Sequence, residues 1–133
     1  MQLRESRRAR ILQLTVEDRS LVGRAEWGDV LARSCPPVVL VALDLGGVDF
    51  ISSLFLESCM EFRRLLTERG QDVVLMDLSE DHLHVLEAAG GFGRLPVVRD
   101  EAELDARVLA LTTQGSAVQS EGVTAAEKNA LWG

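Results

Sequence analysis

Two adjacent hydroxyl side chains, Ser52 and Ser53, stand where an apolar strand and a short loop lead into a helix. The first turn of a helix has backbone N–H groups without partners and carries the positive end of the helix dipole. A phosphate on Ser53 would be held by those amides, and its charge of about −1.5 to −2 would change the surrounding surface. The plainer alternative is that both serines only cap the helix. Ser53, with Ser52 second, is therefore the candidate phosphorylation site.

Residues that usually carry enzyme chemistry are scarce in this sequence. His82 and His84 are its two histidines, and at positions i and i+2 of one helix they point to different faces and cannot share a metal ion. The sequence has no tyrosine, neither of the glycine-rich phosphate-binding motifs and no Gly-x-Ser-x-Gly. The glycines that begin at Gly90 follow a helix and are typical of its C-terminal end. The sequence thus predicts a protein that is not an enzyme, with no catalytic residues, no metal site and no cofactor.

The elements on either side of the two serines follow from apolar periodicity. Residues 38–45 are almost continuously apolar, which is typical of a central strand covered on both faces. Apolar residues then recur at helical spacing from Phe55 to Leu66, and Gly70 follows the last turn as a C-cap. The pattern therefore predicts a buried strand, a loop and a helix that begins at the serines.

The rest of the chain continues this alternation. Strands are predicted over residues 72–78 and 95–98, and helices begin after the caps Ser79 and Asp100. At the front, residues 11–16 are predicted to form a β-hairpin with Leu21 and Val22. Repeated strand–helix–strand units indicate parallel central strands with right-handed crossovers, and the hairpin adds a mixed edge. The fold class is therefore α/β.

The two ends of the chain are predicted to lie outside this domain, which spans residues 11–111. Residues 1–10 are basic and predict a flexible leader. Residues 112–133 begin with glycine, serine, threonine and glutamine and predict a polar linker and tail, with a short helix near Trp132 as an option.

Length and composition restrict the class of protein. The chain has 133 residues, of which 47% are hydrophobic and 26% charged, values typical of one soluble globular domain. Its net charge of −7 and its single basic cluster, at the N-terminus, argue against a nucleic-acid-binding surface. No apolar run approaches the ~20 residues of a membrane-spanning helix. With two cysteines and no secretory signal pattern, we expect the protein in the cytoplasm.

Several segments resemble the STAS domain family, of the anti-sigma factor antagonist type. Residues 39–51 are similar to the strand and loop of that family, and residues 69–79 to its next strand. Residues 85–97 resemble its following helix and final strand, and the resemblance extends from Ile11 to Leu111. It implies a mixed sheet of four to five strands with helices packed mainly on one face and, here, a shortened first helix over residues 27–34.

The resemblance also implies a function. STAS domains of this type bind an anti-sigma factor or a related serine kinase, and phosphorylation of a loop serine turns binding off. Ser53 aligns with that serine, and Glu26 with an acidic residue close to it. The implied partner-binding residues are Glu26, Asp49, Ser52, Ser53, Leu54 and Glu57. The implied protein is a signalling module that regulates transcription, as a monomer or weak homodimer.

The sequence departs from the family pattern beside the candidate serine. Ser52 stands where the family has aspartate, Leu54 where it has a further serine, and Phe55 where it has glycine. Phe55 belongs to the apolar stripe of the helix, which favours core packing. These departures support an alternative function, a docking subunit of a larger stress-signalling or transport assembly that is not phosphorylated.

Overall fold

The structure, a computed structural model, describes residues 1–91 and 93–121. The elements in chain order are β1 (Leu3–Arg8), β2 (Ile11–Val16), β3 (Ser20–Leu21), α1 (Gly28–Arg33), β4 (Leu40–Asp44), β5 (Phe50–Ile51), α2 (Ser53–Thr67), β6 (Asp72–Met76), α3 (Glu80–Ala88), β7 (Val97–Val98) and α4 (Glu101–Glu121). Helix α1 is short, as predicted.

The main sheet has five strands in the order β1-β2-β4-β6-β7. Strand β1 runs antiparallel to β2, and every other pair in this sheet is parallel. Strands β3 and β5 pair in parallel as a separate small ladder. The predicted α/β class with a mixed sheet of four to five strands is confirmed.

Each face of the sheet has its own apolar core. Alternate residues of the central strands point to opposite faces, so that Leu43 belongs to one core and Ala42 to the other. Helices α1, α2 and α3 cover the first face, where Phe55, Phe62 and Leu66 of α2 are at most 1% exposed. Helix α4 covers the second face through buried Leu104. The helices therefore lie mainly on one face, as expected.

The N-terminal segment is not the flexible leader that its composition predicted. Leu3–Arg8 forms the edge strand β1, in register with β2 from Leu3 opposite Val16 to Arg8 opposite Ile11. Its side chains are almost all exposed, and the charged ones pair across the edge, as Glu5 does with Arg33 at 3.2 Å. Strand β1 is held by ladder hydrogen bonds to β2 and by exposed ion pairs. Because its side chains contribute almost nothing to the core, its sequence lacks the apolar alternation by which a strand is predicted.

The predicted hairpin between residues 11–16 and Leu21–Val22 is wrong as well. Residues 11–16 form β2, whose antiparallel partner is β1, whereas Ser20 and Leu21 pair in parallel with Phe50 and Ile51 of β5. The strand at Leu21 was correctly identified, but its partner strand, β5, lies about thirty residues further along the chain. Such a pairing depends on the helices and strands between the two segments and not on a local turn.

The last helix is longer than predicted. Helix α4 continues through Glu121, so that residues 112–121, expected to be a linker, are helical. The segment contains no proline and a single glycine, Gly115, so a helix that has already formed can extend through it. The option of a short helix near Trp132 lies outside the described residues.

We expect Phe62→Ala to lower the free energy of unfolding by about 3–5 kcal/mol, the usual cost of removing a buried aromatic ring. Phe62 is fully buried and stacks on Trp27, with ring centroids 4.3 Å apart and planes inclined by 12°. Urea denaturation followed by circular dichroism would measure the change. Leu109→Ala on α4 is the control, since Leu109 is 68% exposed and its loss should change stability by less than about 0.5 kcal/mol. Equal stability of the two variants would contradict this packing.

Candidate functional site

Ser52 joins three segments of the chain at the start of α2. Its backbone N–H donates to the carbonyl oxygen of Leu21 at 2.9 Å. Its hydroxyl donates to the carbonyl oxygen of Val22 at 2.8 Å and accepts from the N–H of Phe55 at 3.1 Å. Ser52 is therefore the N-cap of α2, and its hydroxyl is already engaged in hydrogen bonds.

Ser53 is the first residue of α2, and it is exposed. Helix geometry leaves the N–H groups of Ser53 and Leu54 without intrahelical partners, and the first turn contains no acidic residue. The positive end of the helix dipole is thus not offset by a carboxylate within that turn. Of the two candidate serines, Ser53 presents the accessible hydroxyl.

Three apolar side chains are exposed in the segments that meet at Ser52. Leu21 and Ile51 point into the core, so their neighbours Val22 and Phe50 face outward, 65% and 48% exposed. Leu54, two residues after the N-cap, is 48% exposed. We call Val22, Phe50 and Leu54 the apolar patch.

The sequence predicted only Leu54 of this patch. Val22 and Phe50 were missed because their shared outward face depends on the pairing of β3 with β5. The alternation of buried Leu21 with exposed Ser20 and Val22 was the available signal, but it does not identify the partner strand.

The predicted acidic residues Asp49 and Glu57 lie on either side of α2's first residues. The Oδ2 atom of Asp49 accepts from Nε and Nη2 of Arg19 at 2.8 and 2.6 Å. An Oε1 atom of Glu57 lies 3.8 Å from Nη1 of Arg24. Each of these side chains is more than half exposed, so the two pairs contribute little stability and remain available to a partner.

Glu26 is less directly connected to the serine. It is exposed in the loop before α1, and the preceding Ala25 donates its N–H to the hydroxyl of Ser58 at 3.0 Å. Ser58 is five positions beyond Ser53, a rise of about 7.5 Å along the helix. Within the described part of the chain, no hydrogen bond joins Glu26 to Ser53. The structure therefore places Glu26 beside α2 and does not pair it with the candidate serine.

Two carboxyl groups meet next to the loop that leads to the site. Asp44 ends β4 and accepts the N–H of Gly46 at 2.9 Å, while Asp77 follows β6 on the neighbouring strand. A hydrogen bond with Asp44 raises the pKa of Asp77, and burial and the like charge of Asp44 act in the same direction. Among the described residues, no group of three or more metal-ligating side chains occurs.

Comparison with known proteins identifies the fold of this chain through structural similarity. No protein-family model and no curated protein matches this sequence. A solved structure of the anti-sigma factor antagonist SpoIIAA in its unphosphorylated form is similar to this chain, with a TM-score of 0.53. The alignment covers 82% of this chain and 97% of the SpoIIAA chain. The chain has a STAS-like fold. The sequence identity is 14%, so the likeness concerns the fold alone.

This STAS-like domain carries the candidate site at the edge where β4 and β6 end. The chain turns at Gly46 after β4, then forms β5 and enters α2; Asp44 accepts the N–H of Gly46 in this turn, and Asp77 lies next to it. None of the helices in residues 1–91 and 93–121 has the length and apolarity required to cross a membrane.

Ser52→Ala should destabilise the protein by about 1 kcal/mol, since it removes the cap of α2 and the bond to Val22. Ser53→Ala should change the free energy of unfolding by less than about 0.5 kcal/mol, because Ser53 is exposed and alanine suits a helix. Urea denaturation of both variants against the unchanged protein would measure the difference. If Ser53→Ala were the more destabilising, the assignment of the cap would be wrong.

Asp77→Asn should stabilise the protein at pH 7, by at most about 0.5 kcal/mol, because Asp77 is exposed and solvent weakens its interaction with Asp44. Because the folded-state pKa of Asp77 is raised, the folded chain holds this proton more tightly than the unfolded chain. The associated stability is complete below the ordinary value of 3.8 and is lost as the pH rises through the folded-state pKa. Asparagine also suits the φ of 60° at this position.

Urea denaturation at pH 7 and near pH 3 would test this effect. The gain of Asp77→Asn should be seen at pH 7 and disappear at the lower pH, while exposed Glu87→Gln should show no such gain. A gain that does not depend on pH would contradict the carboxyl pair.

Proposed function

We propose that this chain is a non-enzymatic, protein-binding signalling module of the anti-sigma factor antagonist type. Its partner in this proposal is an anti-sigma factor or a related serine kinase, it acts in the cytoplasm, and it regulates transcription through that partner. The observation that carries the proposal is the exposed hydroxyl of Ser53 beside the apolar patch. The STAS-like fold supports it, since SpoIIAA is an anti-sigma factor antagonist.

The apolar patch supplies a reason for a protein partner to bind. Full burial of a valine, leucine or phenylalanine side chain contributes roughly 1.5–3 kcal/mol, so covering three half-exposed ones gives several kcal/mol in total. The ion pairs Arg19–Asp49 and Arg24–Glu57 lie at its margin and can exchange partners at low cost. An apolar centre with a charged rim is the usual form of a protein–protein interface.

Phosphorylation of Ser53 would oppose this binding. The phosphate would be stabilised by the free N–H groups of Ser53 and Leu54 and by the helix dipole. A group of charge about −2 next to Leu54 would then have to be desolvated whenever a partner covered the apolar patch. The proposed switch is therefore electrostatic: modification leaves the fold intact and makes burial of the patch unfavourable.

A second function is favoured by Leu54 itself. An apolar side chain that is 48% exposed beside the serine allows the patch to bind without any modification. In that case the chain is a docking subunit of a larger stress-signalling or transport assembly, and the hydroxyl of Ser53 has no role. In either proposed function, the chain acts as a monomer or a weak homodimer.

Protein isolated from its native cells should carry one phosphate, and it should map to Ser53. Ser53→Ala should remove the phosphate, whereas Ser52→Ala should retain it, since the hydroxyl of Ser52 is engaged in the cap. Intact-mass analysis and peptide mapping, under growth and under stress, would measure both. Consistent absence of phosphate would contradict the switch and leave the docking function.

A partner can be identified by cross-linking in those cells and then purified separately. Its affinity for variants of this chain distinguishes the two functions. In a switch, Ser53→Asp should weaken binding about tenfold or more relative to the neutral Ser53→Asn, while in a docking subunit the two should be alike. Leu54→Asp should weaken binding in both cases. Unchanged binding by all three variants would contradict the proposed surface.

A further inference from the structure

A cavity of about 790 Å³ lies along β7, at the sheet edge opposite β1. Its lining comes from α2 through Arg63, from α3 through Leu83, from β7 through Val97 and from α4 through Arg107. Small-molecule sites in proteins have volumes of roughly 300–1,000 Å³. The cavity is therefore of a suitable size for a small ligand.

Most of the walls are apolar. Leu83 and Val97 are half-buried, so each still presents apolar surface to the cavity. The apolar lining residues are Leu78, Leu83, Leu95, Pro96, Val97 and Val98. A ligand that fits these walls has an apolar body.

One of the arginines in the cavity, Arg63, makes three hydrogen bonds within the protein. Arg63 donates from Nε and Nη2 to the two carboxylate oxygens of Asp72, at 2.8 and 3.2 Å. Its Nη1 donates to the carbonyl oxygen of Arg94 at 2.9 Å. Asp72 is 8% exposed at its side chain and is thus neutralised by a bidentate partner.

Arg107 has no comparable partner. Its Nη2 lies 3.9 Å from Oδ2 of Asp72, beyond hydrogen-bond distance. Its Nε is buried and has no hydrogen-bond partner within the described residues. Arg107 thus lacks the bidentate carboxylate that Arg63 has, and its side chain, 38% exposed, presents its charge to the cavity.

Positive charge is concentrated at the Arg107 end of the cavity. Arg63 and Arg107 lie there with one carboxylate, Asp72, whereas Arg99 lies at the other end with Asp77 and its hydrogen-bonded neighbour Asp44. The Arg107 end therefore has an excess of one positive charge, in a chain whose net charge is −7. Asp77 follows the C-terminal end of β6, whereas Asp72 begins that strand near Arg107, a separation of about 16 Å.

We propose that this cavity binds a small amphipathic organic anion, with its carboxylate or phosphate on Arg107 and its apolar body along β7. The guanidinium of Arg107 supplies donors to the anionic group, and the apolar body extends along β7 towards Arg99 and Asp77. The site is separate from the apolar patch and does not depend on the function proposed for Ser53.

Octanoate and octyl phosphate are suitable probes, titrated into the full chain by isothermal calorimetry below their micellar concentrations. We expect one molecule per chain, with affinity that decreases as salt is added. Octan-1-ol has the apolar body without the charge, and inorganic phosphate has the charge without the body. Both should bind at least about tenfold more weakly than the better probe, and the comparison of octanoate with octyl phosphate identifies the preferred headgroup.

Two variants test the location. Arg107→Gln should weaken the better probe about tenfold, and Leu83→Trp should weaken it by filling the cavity without changing its charge. Arg4→Gln is the matched control, since Arg4 is 68% exposed on β1, at the opposite edge. Circular dichroism and urea denaturation would confirm that each variant is folded.

Four results would overturn the proposal: no binding of either probe at millimolar concentration, octan-1-ol bound as tightly as the anions, inorganic phosphate bound as tightly as octyl phosphate, or no effect of Arg107→Gln and Leu83→Trp. None of these results would bear on the role of Ser53.

Discussion

The hydroxyl of Ser52 holds the candidate site together, because it bonds a carbonyl of the segment after β3 and an amide of α2 at the same time. The ladder of β3 with β5 has only two residue pairs, which alone would be marginal. Ser52 extends that ladder and starts the helix in one step. Leu21, Ile51 and Phe55 are thereby directed into the core, and the alternate side chains are left outside. Burial of these three residues thus leaves the residues of the apolar patch exposed.

The two edge strands of the main sheet, β1 and β7, are protected from pairing with another chain in different ways. Strand β1 is exposed and carries charged side chains, which discourages pairing with another chain. Strand β7 is short, begins after Pro96, and is flanked by arginines from α2 and α4. The ion pair of Arg63 with Asp72 fixes α2 to the start of β6 at this edge. Because Arg63 binds both carboxylate oxygens of Asp72, Arg107 remains 3.9 Å from that carboxylate, beyond hydrogen-bond distance.

Local sequence signals predicted the elements that carry their own information. The caps Ser52 and Ser79, the apolar stripe of α2 and the apolar runs of β4 and β6 were sufficient for those elements. The candidate serine, Ser53, remains a prediction, and the structure places it exposed at the first position of α2. Features that depend on distant partners were not predicted: β1 as a strand, the pairing of β3 with β5, and the outward positions of Val22 and Phe50. Their stabilising contacts are made with residues far away along the chain.

The three departures from the STAS pattern, at residues 52, 54 and 55, differ in whether they affect the core or the surface. Serine and aspartate are about equally good N-caps, so Ser52 in place of aspartate preserves the start of α2 while removing a negative charge next to Ser53. Phe55 in place of glycine is 1% exposed and contributes to the core, so it adds stability without covering the serine. Leu54 is the departure that reaches the surface. The fold-determining contacts are therefore maintained, and the change falls on what a partner would meet: less charge and more apolar area around the same hydroxyl.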